Sequence, residues 1–162
     1  MYFLSYAHKN KSEVAAIIKV FKEQGVEVWF DSGLISGDLY NIKIAEKIKN
    51  CDGFIAVFSH AYFRSMYCKQ ELVYARENCR KKIFPIVIEK DLILPPDIEM
   101  LMVGIHFFFM NDGIDETALI KEIQKFNEIE MYKGAQNSTE NQVADMIMIC
   151  PLVFLGIKQR TS

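Results

Sequence analysis

A chain of 162 residues has the usual length of one domain. Its residues are 51% hydrophobic and 25% charged, which supplies both a core and a wetted surface. The formal net charge is -2 and the basic residues are scattered, which excludes a nucleic-acid binder held by bulk positive charge.

The first two thirds of the chain alternate short apolar runs with longer amphipathic ones. Tyr2 to Ser5 reads as a strand. Lys11 to Gln24 follows with Val14, Ile17, Ile18 and Phe21 at helical spacing, and Gly25 closes it, since a left-handed closing residue favours glycine. Val26 to Phe30 is β-branched and aromatic, the composition of a strand. Asp31 to Leu39 carries two glycines and two aspartates and reads as a loop. Tyr40 to Asn50 places Ile44, Ala45 and Ile48 on a helical stripe. Gly53 to Phe58 is continuously apolar, as expected of a strand covered on both faces.

Tyr67 to Cys79 reads as a helix and Ile83 to Ile88 as another buried strand. Pro85 removes a ladder donor there and is expected at an edge or bulge. Asp91 to Met102 is a connection containing Pro95-Pro96, Gly104 to Phe109 a last strand, and Asp115 to Phe126 a last helix. This rhythm predicts an α/β fold: an open, flavodoxin-like parallel sheet of about five strands, three-layered, with helices on both faces. Such sheets bind ligands beyond the carboxyl ends of their strands, which directs attention to Ser5 to Asn10, Asp31 to Leu39 and Ser59 to Glu71.

The C-terminal stretch differs. Gly134 to Asn141 is polar and linker-like. Val143 to Ile157 is apolar but interrupted by Asp145 and Pro151, too short for a membrane span of roughly 20 residues. Residues 1–128 are therefore expected to form the domain. Residues 129–162 are expected to be an extension, linker then short apolar segment, that packs on the domain or on a second copy. Cys51, Cys68, Cys79 and Cys150 form no CxxC pair, and His8, His60 and His106 lie at no metal-ligand spacing, so no metal site is expected. Free thiols suit a reducing cytosol, and Met1-Tyr2-Phe3-Leu4 opens on a strand with no basic flank or cleavage site. A cytoplasmic protein without membrane contact is expected.

Three stretches carry a family resemblance. Phe3 to Lys11 (FLSYAHKNK) resembles the first box of TIR (Toll/interleukin-1 receptor-like) domains. Val26 to Ser59 resembles their second strand, BB loop and third strand. Ser65 to Ala75 (SMYCKQELVYA) resembles their S-x-W-C-x-x-E-L segment, with Tyr67 where Trp is common. Tyr40 likewise stands where a Trp often follows the BB-loop Gly-Asp, and His8-Lys9-Asn10 lacks the acidic residue common in the first loop. The resemblance covers Met1 to about Phe126, and the three motifs occur in family order.

The resemblance implies an NAD glycohydrolase or cyclase, with NAD as substrate and no cofactor. Its products would be nicotinamide and ADP-ribose or a cyclic isomer. It implies Glu71 as catalytic carboxylate, and Tyr6, Ala7, His8, Asp31, Ile35, Tyr40, Ser59 and Tyr67 as NAD contacts. Gly33, Leu34 and Gly37 of the BB loop are implied in contacts with other TIR domains by self-association. Stand-alone bacterial members act in antiphage defence, where a further effector senses the nucleotide product. The alternative within the family is a non-enzymatic scaffold working through homotypic contacts. On position alone, each of these residues also has an ordinary role. A glutamate early in a helix is usually solvated and favourable toward the helix dipole, and Asp31 before Ser32-Gly33 suits a turn. A phosphorylated receiver domain is excluded because the third strand ends in Phe58-Ser59 rather than Asp, and a phosphate-loop enzyme because GxxxxGK[ST] is absent.

Overall fold

The computed structural model describes residues 1–31, 40–110 and 116–149, with side chains in the last stretch from 117 to 136. Two compact units divide the chain, Met1–Ile120 and Lys121–Ser162. The first holds the sheet. Its strands are β1 (Tyr2–Tyr6), β2 (Val28–Trp29), β3 (Gly53–Phe58), β4 (Lys82–Val87) and β5 (Phe108–Phe109). All pairings are parallel, in the order β2-β1-β3-β4-β5. The helices are α1 (Lys11–Glu23), α2 (Tyr40–Asn50), α3 (His60–Arg64), α4 (Met66–Val73), α5 (Pro96–Leu101) and α6 (Glu116–Ile149). Those of the first unit cover both faces of its sheet, so the predicted α/β, flavodoxin-like architecture is the one observed.

Strand alternation sorts the core into two layers. Phe3, Phe54, Ala56, Phe58, Ile83 and Val87 pack with Ile44, Ile48, Tyr62, Cys68, Leu72 and Ile98 of α2 to α5. On the opposite face, Ile17 and Phe21 of α1 close around a small void with Ile86, Leu119 and Ile120. β1, β3 and most of β4 are buried residue after residue, as expected of strands covered on both sides. Pro85 pairs with Ala56 on one side, while β5 joins β4 only from Ile86 onward. The proline thus lies where that flank of β4 has no strand beside it.

Several boundaries differ from the sequence reading. β2 and β5 shrink to two residues each, pairing with β1 and β4 at two positions apiece. The helix expected over Tyr67 to Cys79 begins at Met66 and passes into a π turn, Tyr74–Asn78. Ser59 to Tyr67 contains the short helix α3, and the Pro-containing connection folds into α5 with Pro96 in its first turn, where a missing N–H costs nothing. The linker-like stretch Gly134 to Asn141 is helical as part of α6. Composition misleads there because a lone glycine costs a helix only about 1 kcal/mol, and Ala135, Gln136 and Glu140 are good or tolerable helix formers. Among the described residues no helix is long and apolar enough to cross a membrane.

Candidate functional site

The order β2-β1-β3-β4-β5 reverses direction between β1 and β3, and an open parallel sheet leaves a crevice at the carboxyl ends of the strands there. A cleft of about 650 Å3 occupies this position. The segment after β1 (Tyr6 to Asn10) and the segment after β3 (His60 to Ser65) form its sides, and α4 supplies Tyr67, Cys68 and Glu71.

Glu71 lies at the inner end. Ser65 caps α4 by accepting the Cys68 N–H at 3.3 Å, which sets the helix so that Tyr67 and Glu71, one turn apart, share a face. The Ser5 hydroxyl donates to Glu71 Oε2 at 2.6 Å. Burial pushes the Glu71 carboxyl up from 4.5 to about 7; the Ser5 bond opposes that rise and the negative charge of Asp31 adds to it. The group therefore changes charge near neutrality, a property concentrated at functional sites.

One wall is built on Asp31. Its side chain is about 10% exposed, accepts from the Tyr40 hydroxyl at 3.0 Å, and lies 3.8 Å from His8 Nε2. Tyr40 meets Tyr67 edge-on, ring centroids 6.1 Å apart, and Tyr67 is 60% exposed. Tyr6 packs edge-to-face with Phe30. Burial raises the Tyr40 and Tyr6 hydroxyls, with Asp31 adding to both shifts, so both tyrosines are neutral donors. Lys9 and Arg64 also line the cleft, with His60 bound through its backbone N–H and Nδ1 to Glu89 Oε2. Aromatic surface, cations and the carboxylates of Asp31, Glu71 and Glu89 thus face a common space, suited to a ligand that combines flat rings with charged groups.

Of the residues singled out from the sequence, Glu71, Tyr6, Ala7, His8, Asp31, Tyr40 and Tyr67 line this cleft. Ser59 does not. It is fully buried, accepting the Tyr62 N–H at 2.9 Å to cap α3 and donating to Asn10 Oδ1 at 2.8 Å. Gly33, Leu34, Ile35 and Gly37 lie outside the described residues. Cys68 is buried, and burial lifts its thiol to about 11, which leaves it protonated and a poor nucleophile at neutral pH. The sequence reading gave no individual role to Ser5, Tyr62 or Arg64, although they fall within the segments Ser5 to Asn10 and Ser59 to Glu71, and it missed Glu89. Ser5 had a usable signal: period-two alternation puts it on the Phe3 face of β1, beneath α4.

A parallel α/β domain with its cleft at the switch point and a half-buried carboxylate inside it defines the class. A family profile described as "TIR domain" matches residues 3–124, and the chain belongs to that family. No curated protein sequence matches it. Among solved structures, the TIR domain of the Toll-related receptor TRR-2 from Hydra magnipapillata is similar at 14% identity. It covers 83% of this chain and 97% of that one, with a TM-score of 0.57. The TIR domains of the activated Roq1 resistosome, which directly recognises the pathogen effector XopQ, match at 18% identity, 76% and 96% coverage and TM-score 0.55. The Clostridium botulinum CMP N-glycosidase BcmB matches at 22% identity, 77% and 98% coverage and TM-score 0.55. At these identities the likeness is one of fold.

Proposed function

We propose that this TIR domain cleaves the bond between nicotinamide and ribose in NAD, with Glu71 as the catalytic carboxylate. The observation that carries the reading is the Glu71 carboxylate itself: half-buried, held by Ser5 at 2.6 Å, inside a cleft of about 650 Å3 with aromatic side chains. Nicotinamide in NAD is already a cationic leaving group, so no general acid is required. Cleavage passes through a cationic, oxocarbenium-like ribose, as in glycoside hydrolysis. A carboxylate beside the ribose accepts from its hydroxyls and stabilises the developing positive charge, more strongly because it is withdrawn from water.

In this reading Tyr67 stacks on a base, Tyr40 and Asp31 bind ribose hydroxyls, and Tyr6, Ala7 and His8 border the dinucleotide. Ile35 belongs to the same proposed set, while Ser59 acts indirectly, capping α3 and holding Asn10. The products are nicotinamide and ADP-ribose or a cyclic isomer. Two relatives support parts of the reading. BcmB, a CMP N-glycosidase by name, has a similar fold. The Roq1 TIR domains belong to an assembled resistosome, which supports self-association as the setting for activity. Residues 1–128 are the proposed functional domain and 129–162 an appendage to it. Antiphage signalling through a sensor of the product is the proposed biological role.

The test is incubation of concentrated protein with NAD, following nicotinamide and ADP-ribose products by chromatography. Glu71→Gln is expected to lower turnover by about 100-fold or more, the usual scale for losing a charge-stabilising group. Turnover unchanged in that variant removes Glu71 from the chemistry. No turnover by the unaltered protein, even at high concentration, favours the scaffold role.

A further inference from the structure

Glu71 is tied to a chain of buried hydroxyl groups. Ser5 is 2% exposed and Tyr62 is fully buried. Ser5 Oγ lies 2.6 Å from Glu71 Oε2 and 3.2 Å from Tyr62 Oη. The Tyr62 hydroxyl in turn donates to the Cys68 carbonyl at 3.2 Å. The chain leaves α4 at Glu71, crosses to β1 at Ser5 and α3 at Tyr62, and returns to α4 at Cys68, three residues before Glu71.

We propose that Ser5 and Tyr62 are positioning residues that keep the Glu71 carboxyl group in one place in both of its protonation states. The proposal rests on the reading of Glu71 as the catalytic carboxylate. Each hydroxyl has a single hydrogen to give. When Glu71 is ionised, Ser5 donates to it and Tyr62 donates to the Cys68 carbonyl. When Glu71 is protonated, its own hydrogen goes to Ser5 Oγ. The Ser5 hydrogen then turns to Tyr62 Oη, and the Tyr62 hydrogen stays on the carbonyl. Neither state leaves a buried donor without an acceptor, so the carboxyl group titrates without being released from the cleft floor.

The two hydroxyls favour opposite forms, which makes the device separable from simple packing. Ser5 is the donor to the ionised form, so its loss favours the protonated one. Tyr62 is the acceptor that the protonated arrangement needs, so its loss favours the ionised one.

Titration of Glu71 reads this without any turnover. Protein carrying carboxyl-13C glutamate is followed by NMR across pH, the Glu71 resonance being assigned by its absence in Glu71→Gln. Ser5→Ala is expected to raise the Glu71 midpoint by about half a pH unit or more, Ser5→Thr to hold it, and Tyr62→Phe to lower it. Ser5→Cys, nearly isosteric with a weak donor, gives the upward shift should Ser5→Ala fail to fold. In parallel, Ser5→Ala lowers kcat about tenfold, the scale of a hydrogen bond to a charged group, with KM changed less than about twofold. An unmoved midpoint in a folded Ser5→Ala or Ser5→Cys protein overturns the proposal. So do Ser5→Ala and Tyr62→Phe moving it the same way. If the unaltered protein does not cleave NAD, the functional reading fails while the titration still decides the positioning one.

Discussion

Glu71 is held where its charge is disfavoured, and two consequences follow for pH. The kcat/KM profile reports ionisation of the free protein. With the ionised form active, kcat/KM is expected to rise as pH increases through about 7, the value to which burial lifts the group. A rate already flat between pH 5 and 8 would contradict a role for this carboxylate. Stability runs the other way. The folded protein holds the Glu71 proton up to about 7, whereas the unfolded chain releases it near 4.5. Between those values the folded state binds more protons, so its stability falls as pH rises through the window and stays lower above it. Glu71→Gln removes that cost, and is expected to be more stable than the parent by roughly 1–3 kcal/mol at pH 8, with the difference gone by about pH 4. Denaturant melts at the two pH values measure it. The sequence made Glu71 visible through the TIR-like motif Ser65 to Ala75, which sets it after β3 and one turn beyond Tyr67. It did not reveal Ser5 as its partner, because that bond depends on how α4 lies across β1.

The segment that brings α4 to the cleft is short and depends on its caps. Ser59 and Ser65 start α3 and α4, and Ser59 also satisfies buried Asn10. Ser59→Ala therefore removes a cap and strands a buried polar group. A loss of about 1–3 kcal/mol is expected in urea unfolding, and an unchanged midpoint would refute the capping role. β3 depends on a close approach at its first residue. A Cβ on Gly53 would fall 2.8 Å from the Tyr2 ring and 2.9 Å from the Phe84 ring, both side chains buried. Gly53→Ala is expected to cost about 1–3 kcal/mol, read from the same unfolding experiment. α1, α2 and β3 were legible beforehand because their apolar spacing is long and regular enough to distinguish 3.6 from 2 residues per repeat. α3 and the π turn after α4 were not, since a few residues carry no readable period and their ends are set by caps and neighbours. The helicity of 134–141 was hidden by polar composition, which signals exposure as much as a loop.

The sheet order puts the ends of β1 and β3 beside one another and so creates the cleft. Ligand binding there is linked to folding: anything bound only by the folded form stabilises it, by about 2.7 kcal/mol at 100 times Kd. Glu71→Gln protein, which holds NAD without consuming it in this reading, is expected to show a Tm that rises with NAD concentration. Nicotinamide-free ADP-ribose serves as the comparison. No rise at millimolar NAD would count against the cleft as a dinucleotide site. The sequence by itself determined the α/β class, the three segments at the strand ends, and the TIR motifs that led to Glu71, because strand and helix periodicity and local motifs are properties of neighbouring residues. The tertiary structure decided which of those residues share the cleft. It brought Tyr40 to Asp31, withdrew Ser59 into the interior, and joined Glu71 to Ser5 across 66 positions of chain. Such contacts arise from strand order and helix docking, which no local pattern encodes, and burial in that setting is what lifts the Glu71 carboxyl toward neutrality.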